Sequence, residues 1–346
     1  MIEKEIFGKL TTGEEVTRYT LTNANGMKVS AIDYGACITN VIVPDRDNNF
    51  EDVVLGYDRA ESYEENVPSF GAPIGRCANR ISECAFTLNG KRYELDNNNE
   101  GNTLHGGYKR FNLNMYEAET GSNELGEYVR FSRVSTTEEQ NFPGNLSYSI
   151  TYILTEDNSL MIRYDAVSDE DTVLNMTNHS YFNINPKGEA GEPVLNLELK
   201  VNATKYTPIG ADILPTGEIA DVDGTFLDFR DFKVIGESLA AFNEKGYDHN
   251  YLLENAGELK EACVLRCPRN GITLTTSTDL PGLQVYSAPA LFETGGKNGR
   301  DYGSSQGICF ESQYFPNAIN TPEFDSPILK AGEEYVSYTV YTFGIY

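Results

Sequence analysis

The chain has no tryptophan, only three histidines, and 27 Lys and Arg against 52 Asp and Glu. Each shortage excludes something. Without Trp, an aromatic platform for a ligand must come from the 22 Tyr and 17 Phe. A formal net charge of −25 disfavours nucleic acid and anionic membrane surfaces, whose phosphates need clustered Lys and Arg. It also argues mildly against a strongly anionic substrate, and not at all against a neutral one. No apolar run approaches the ~18 residues that a bilayer-spanning helix needs. The opening Met1-Ile2-Glu3-Lys4-Glu5 lacks a basic n-region and an apolar h-region, so no signal peptide and a cytoplasmic location are expected. The cysteines (Cys37, Cys77, Cys84, Cys263, Cys267, Cys309) form no CxxC pair and no spaced Cys/His set. A zinc site at Cys263 and Cys267 would lack its second pair of ligands, so reduced thiols are the expectation. G-x-G-x-x-G, a Walker loop and G-x-S-x-G are missing too, which leaves hydride transfer, phosphoryl transfer and Ser-based nucleophilic catalysis without support.

What the chain does have is alternation. Leu195, Leu197, Leu199 and Val201 alternate with polar residues, as do Tyr148 to Leu154, Leu160 to Tyr164, and Ile272 to Leu274. The run from Tyr335 to Tyr346 is rich in Tyr, Thr and Val, a composition that favours strands. Turn signals such as Asp96-Asn97-Asn98-Asn99 and Pro281-Gly282 separate these runs. Only Val234 to Asn243 has helical spacing, through Ile235, Leu239 and Phe242. Many strands, almost no helix, no linker and no repeat point to an all-β fold, one large β-sandwich domain spanning residues 1–346.

Five polar clusters interrupt the strands. Gly75-Arg76-Cys77-Ala78-Asn79-Arg80-Ile81 reads either as a loop donating hydrogen bonds to a ligand or as a surface turn with solvated arginines. In Gly101-Asn102-Thr103-Leu104-His105-Gly106-Gly107, glycines around a lone His allow a tight backbone and close ligand approach. Asn178-His179-Ser180-Tyr181-Phe182-Asn183 places an imidazole, which can hold or release a proton near neutrality, among residues able to orient it. Gly246-Tyr247-Asp248-His249-Asn250-Tyr251 and Cys309-Phe310-Glu311-Ser312-Gln313-Tyr314-Phe315-Pro316-Asn317 complete the set. If Ile308 and Phe310 face one side of a strand, Cys309, Glu311 and Gln313 face the other, with Glu311 near the end before Pro316. A His and a Glu can divide acid and base work when their environments differ. The residues alone support a large β protein with a polar site for proton transfer, and the spacing does not choose its substrate.

Taken together and in order, the clusters resemble the aldose 1-epimerase (galactose mutarotase) family. The matching strings are Ala78-Asn79-Arg80-Ile81, Asn102 to Gly107, Asn178 to Asn183 and Tyr247-Asp248-His249, with Gly282-Leu283-Gln284-Val285-Tyr286 and Glu311 to Pro316. Leu214 to Ile219 and Asp228-Phe229-Arg230 lie between them and also match. The resemblance implies a large, mostly antiparallel β-sandwich and interconversion of the α and β anomers of free aldoses without metal or cofactor. It implies His179 as the acid toward the ring oxygen and Glu311 as the base toward the anomeric hydroxyl. Arg80 and His105 would hold the sugar near the reacting centre, and Asn79, Asp248 and Gln284 its other hydroxyls. The expected partner is a monosaccharide, in a monomer or weak dimer, with no nucleic acid and no membrane.

That assignment needs His179 protonated while Glu311 is ionised. Reference values of roughly 6.5 and 4.3 leave a partial window near neutrality, hence an expected bell-shaped pH profile for kcat/KM. Departures from the family pattern at Cys77, Tyr116 and Ser287-Ala288-Pro289-Ala290 are expected on the cleft wall, where they would bear on sugar preference. His249 is expected to be structural, beside Asp248. Two rivals share the scaffold: a sugar-binding module without turnover, which would not need an intact His179/Glu311 pair, and a hexose-phosphate 1-epimerase, which would want several arginines, with only Arg76, Arg80 and Arg300 in view.

Overall fold

Strand residues alternate between a shared apolar interior and either solvent or a polar cleft, and that alternation builds the architecture. The computed structural model describes residues 1–186, 191–254 and 257–346. Its larger sheets are one of nine strands and two of five, joined by four two-stranded ribbons. The nine-stranded sheet runs from Glu117–Ser122 at one edge, through Leu146–Thr155, Ser159–Ser168, Glu334–Ile345 and Ile272–Thr278, to Lys233–Val234 at the other. Every strand pair among the described residues is antiparallel; the one parallel contact is an isolated bridge between Cys77 and Asn175. One apolar cluster takes side chains from all three large sheets, among them Val29 and Val41, Ile150 and Ile162, and Leu283 and Phe310. Burying such side chains stabilises the fold by ~1.5–3 kcal/mol each before entropy is counted.

The five-stranded sheet that carries chemistry orders Ala220–Asp221, Lys205–Tyr206, Asp248–Leu252, Gly282–Tyr286 and Cys309–Gln313. Tyr251, Leu283, Val285 and Phe310 turn into the shared core. Their neighbours Asn250, Gln284 and Glu311 turn the other way and stand in one row, because Gln284 lies opposite both Asn250 and Glu311 in register. The alternation read from Ile308 to Gln313 therefore holds, although Glu311 sits in the middle of its strand rather than near its end.

Some boundaries differ from the sequence reading, each for a local reason. The alternating run from Leu195 does not begin as a strand: Pro193 opens a 3-10 turn at Val194–Asn196, and pairing starts at Glu198. The helix spans Ile235–Phe242, ended by Asn243 in the left-handed conformation, and a one-turn helix at Thr137–Gln140 went unforeseen. Arg76 is neither a ligand loop nor a solvated turn. It is fully buried, donating to Pro143 O, Gly144 O, Thr172 Oγ1 and both oxygens of Ser135 at 2.7–3.1 Å. Removing it would strand several buried acceptors, each costly to leave unpaired. Arg76→Met should lower the unfolding free energy by about 3 kcal/mol or more, read by urea denaturation. A variant as stable as wild type would contradict this structural role.

Candidate active site

Two ribbons and the chemistry-bearing sheet bring the polar clusters together. Thr177–His179 pairs with Ala72–Ile74, and Arg80–Ile81 pairs with Thr103–Leu104, so His179 and His105 reach one cleft from different ribbons. Their rings meet edge to face with centroids 5.3 Å apart. The cleft has a volume of about 240 Å³. That is below the ~300–1,000 Å³ of sites for drug-sized ligands and suits a single small polar molecule. A wider concavity of about 1060 Å³ lies on the outer face of the nine-stranded sheet, but it has no histidine among its lining residues. Chemistry, not size, selects the smaller one.

Across the cleft His179 Nε2 lies 3.7 Å from Glu311 Oε1. The ring stacks on Tyr181 at 5.0 Å, and its other nitrogen, Nδ1, is 3.5 Å from Cys309 Sγ. Asn178 Nδ2 donates to the Gly71 carbonyl and Asn178 Oδ1 accepts from the Ser180 hydroxyl, so the imidazole is oriented by Tyr181 and Cys309 instead. Glu311 is 2% exposed, and its Oε2 is buried without a hydrogen-bond partner, a spare acceptor in a site made for a ligand. Burial pushes the His179 pKa down to about 4. Burial, with the Asp248 carboxylate nearby, pushes the Glu311 pKa well up. Each shift disfavours the charged form. Burial therefore favours neutral His179 and draws the proton toward Glu311. That is the reverse of the order set by the reference values.

His105 has a defined tautomer. The Asn79 backbone N–H donates to His105 Nδ1 at 3.2 Å, while the His105 backbone N–H donates to the Asn79 carbonyl at 3.0 Å. With Nδ1 occupied as an acceptor, the neutral ring carries its proton on Nε2 and is a donor there. Burial, and the nearby His179 and two arginines, hold its pKa well below the usual histidine value, so it stays neutral. Ligand atoms of His105, His179 and Glu311 lie within 4.8 Å of one another, close enough for a metal ion. The Asn79 amide, however, leaves His105 offering a hydrogen rather than a lone pair at Nε2, chemistry suited to a ligand oxygen.

Of the remaining expected site residues, Asn79, Arg80 and Asp248 line the cleft. Arg80 Nε donates to Asn99 Oδ1 at 3.0 Å, and its Nη1 is 3.9 Å from Asp248 Oδ2. Gln284 stands behind the wall: its Nε2 donates to Asp248 Oδ1 at 2.6 Å and its Oε1 accepts from Gln313 Nε2 at 3.2 Å. It fixes Asp248, with both ends of its amide already engaged. His249 packs against Phe226 away from the cleft, as a structural residue would. Cys77, Tyr116 and Ala288 do not line the cleft, contrary to expectation: all are buried, and Tyr116 bonds to Tyr148 OH at 2.7 Å. The lining that sequence reasoning missed includes Ser69, Asn98, Arg110, Tyr181 and Tyr286. Both tyrosines sit inside matched strings, a usable signal; Arg110 has none.

A paired imidazole and carboxyl across a small polar cleft, on an antiparallel β-sandwich, define a site for acid/base proton transfer. Comparison with known proteins makes the class specific: the family description "Aldose 1-epimerase" matches residues 17–342. The chain belongs to the aldose 1-epimerase family. It is 36% identical over 345 residues to galactose mutarotase of Bos taurus, covering 99% of both chains. It is 36% identical over 352 residues to aldose 1-epimerase of Haemophilus influenzae, covering 99% of this chain and 100% of that one. A solved aldose epimerase homologue from C. elegans superposes with a TM-score of 0.87 at 26% identity, over 94% of this chain and 98% of that one.

The turn after His105 depends on glycine. Gly106 has φ +85°, and a Cβ there would lie 2.4 Å from Gln140 Nε2 and 2.5 Å from Gly75 O. Gly106→Ala should cost about 1–3 kcal/mol and lower the midpoint of thermal unfolding by several degrees. An unchanged midpoint would show that the turn tolerates a side chain.

Proposed function

We propose that the protein catalyses the interconversion of α and β anomers of free aldohexoses such as galactose and glucose. The observation that carries this reading is His179 Nε2 facing Glu311 Oε1 at 3.7 Å across a cleft of monosaccharide size. Anomers differ only at C1, so their interconversion needs no redox change, no group transfer and no cofactor. It needs a proton delivered to the ring oxygen and another taken from the anomeric hydroxyl. Those oxygens share one carbon, and one rigid cleft can serve both.

In the opening direction His179 gives its Nε2 proton to O5 while Glu311 takes the O1 proton. The C1–O5 bond breaks and the C1–O1 bond becomes a carbonyl. Rotation about C1–C2 presents the other face of the aldehyde. On closure O5 attacks C1, His179 recovers the O5 proton and Glu311 returns a proton to O1. Throughout, Nδ1 of His179 keeps its hydrogen on the Cys309 side. Neutral His179 with protonated Glu311 is the arrangement competent for closure; moving the one proton to His179 makes the arrangement competent for opening. His105 Nε2–H and Arg80 supply donors to the sugar oxygens near C1. Asn79 and Asp248 hold its other hydroxyls, and Gln284 positions Asp248.

Phosphorylated hexoses find little support. Arg76 is consumed in the core, Arg300 lines a different cavity and Arg80 stands near Asp248, which leaves a single cleft arginine, Arg110, for a phosphate dianion. We take residues 1–346 as one domain, because its largest apolar cluster runs from Tyr19 to Phe343. No helix among the described residues is long and apolar enough to cross a membrane, and the six cysteines are free and buried, which fits a cytoplasmic location.

Polarimetry on freshly dissolved α-D-galactose tests the reading. Wild type should speed the approach to anomeric equilibrium, and His179→Ala and Glu311→Ala should each lose roughly 10²–10⁴ in rate. A wild type that binds galactose yet leaves the buffer rate unchanged would make it a binding module. The pH profile of kcat/KM, which reports the free enzyme, should be a bell. On the acid side activity falls when a second proton reaches the pair, on His179 at about 4. On the alkaline side it falls when Glu311 gives up the only proton, above the ordinary carboxylate range. An acid limb centred near ~6.5 would contradict the effect of burial.

A further inference from the structure

Arg110 is a cleft residue that the anomerisation of a neutral sugar leaves without a task. It precedes the short turn Phe111–Leu113 and lines the same cavity as His179 and Glu311. Its guanidinium donates to Ser69 Oγ at 2.9 Å and to the Glu65 carbonyl at 3.2 Å, both neutral acceptors. Among the described residues no carboxylate forms an ion pair with it, whereas Arg80 lies within 3.9 Å of Asp248. A partly buried guanidinium without a counter-charge is costly to maintain unless something anionic meets it there.

The position of Arg110 relative to the acid and base indicates which part of a sugar it meets. With O5 at His179 and O1 at Glu311, C5 lies on the side of O5 opposite C1. The C6 substituent therefore extends past His179, away from Glu311. Ser69, which accepts from Arg110, lies just before Ala72, the residue paired with His179, and Tyr181, stacked on His179, donates to the Pro68 carbonyl at 2.9 Å. Arg80 instead faces Asp248, which is held by Gln284 opposite Glu311 in register. Arg110 thus stands at the ring-oxygen end of the cleft and Arg80 at the anomeric end. Ser69, 2% exposed, accepts from Arg110 and keeps its own hydroxyl hydrogen free to donate.

We propose that Arg110 and Ser69 form a subsite for a carboxylate at C6, so that hexuronates are substrates alongside neutral hexoses. This rests on the anomerisation reading above and adds to it. One free guanidinium and one hydroxyl match a singly charged, planar carboxylate better than a phosphate dianion, which calls for several cations. A chain of net charge −25 opposes a monoanion less than a dianion, and its distant charges are screened beyond about 8–10 Å.

The test compares galactose, galacturonate and galactose 6-phosphate at pH 7 with wild type, Arg110→Gln and Arg110→Lys, each mutarotation followed by polarimetry. Wild type should turn over galacturonate with kcat/KM comparable to that for galactose or higher, and above that for the 6-phosphate. In Arg110→Gln the galacturonate-to-galactose ratio of kcat/KM should fall about tenfold or more, mostly through KM, and Arg110→Lys should recover part of it. A ratio within about twofold of wild type in Arg110→Gln would overturn the subsite. So would galactose turnover without galacturonate turnover in wild type, a comparison that needs no variant to fold. Preference for the 6-phosphate would overturn the carboxylate assignment. Failure on galactose itself would instead remove the underlying activity.

Discussion

Everything in the cleft depends on two ionisable side chains, His179 and Glu311, being buried face to face at 3.7 Å. Burial penalises the imidazolium and the carboxylate alike, so neither can keep its charge without help. A proton on Glu311 beside a neutral His179 gives the pair the same total charge as imidazolium plus carboxylate. Under the proposed mechanism, ring opening and ring closure are two positions of one proton, with no exchange with bulk water needed between them. The same burial that inverts the two pKa values keeps the interconversion of the two arrangements internal.

The β-sandwich provides this because one sheet serves two masters. Phe310, Val285 and Tyr251 anchor its inner face in the shared core, while Glu311, Gln284 and Asn250 form a polar row on the other. Gln313 bonds to both Asn250 Oδ1 and Gln284 Oε1, and Gln284 bonds to Asp248, so the row is stiffened from within. Opposite it, the Asn79–His105 pair locks a neutral donor by two backbone contacts. Side chains fixed in this way lose little entropy when a sugar arrives, which is what preorganised catalysis requires.

Much of this was legible in the sequence because alternation and short polar strings are local signals. Period two put Cys309, Glu311 and Gln313 on one face, and scarcity of histidine drew attention to His105 and His179. What was not legible depended on distant partners. Arg76 looks like a surface or ligand arginine until its acceptors, 59 to 96 residues away, are in place. Arg110 lies outside every polar cluster and matched string, and only the meeting of its turn with Ser69 and the His179 ribbon puts it in the cleft. Cys77 and Tyr116 belong to the core for the same reason. The proton order of His179 and Glu311 was also out of reach, since it comes from burial rather than residue type. Leu195 was misread because period two cannot distinguish a strand from a 3-10 turn opened by Pro193.

The central claim is that burial holds His179 neutral and draws the shared proton toward Glu311. Nitrogen-15 NMR of the histidines, recorded as a pH titration of the sugar-free protein with His179→Asn to assign the signal, tests it most directly. The account requires His179 to remain a neutral imidazole at pH 7 and to titrate toward about 4. An imidazolium signal from His179 at pH 7 would place the proton on the other partner and contradict it.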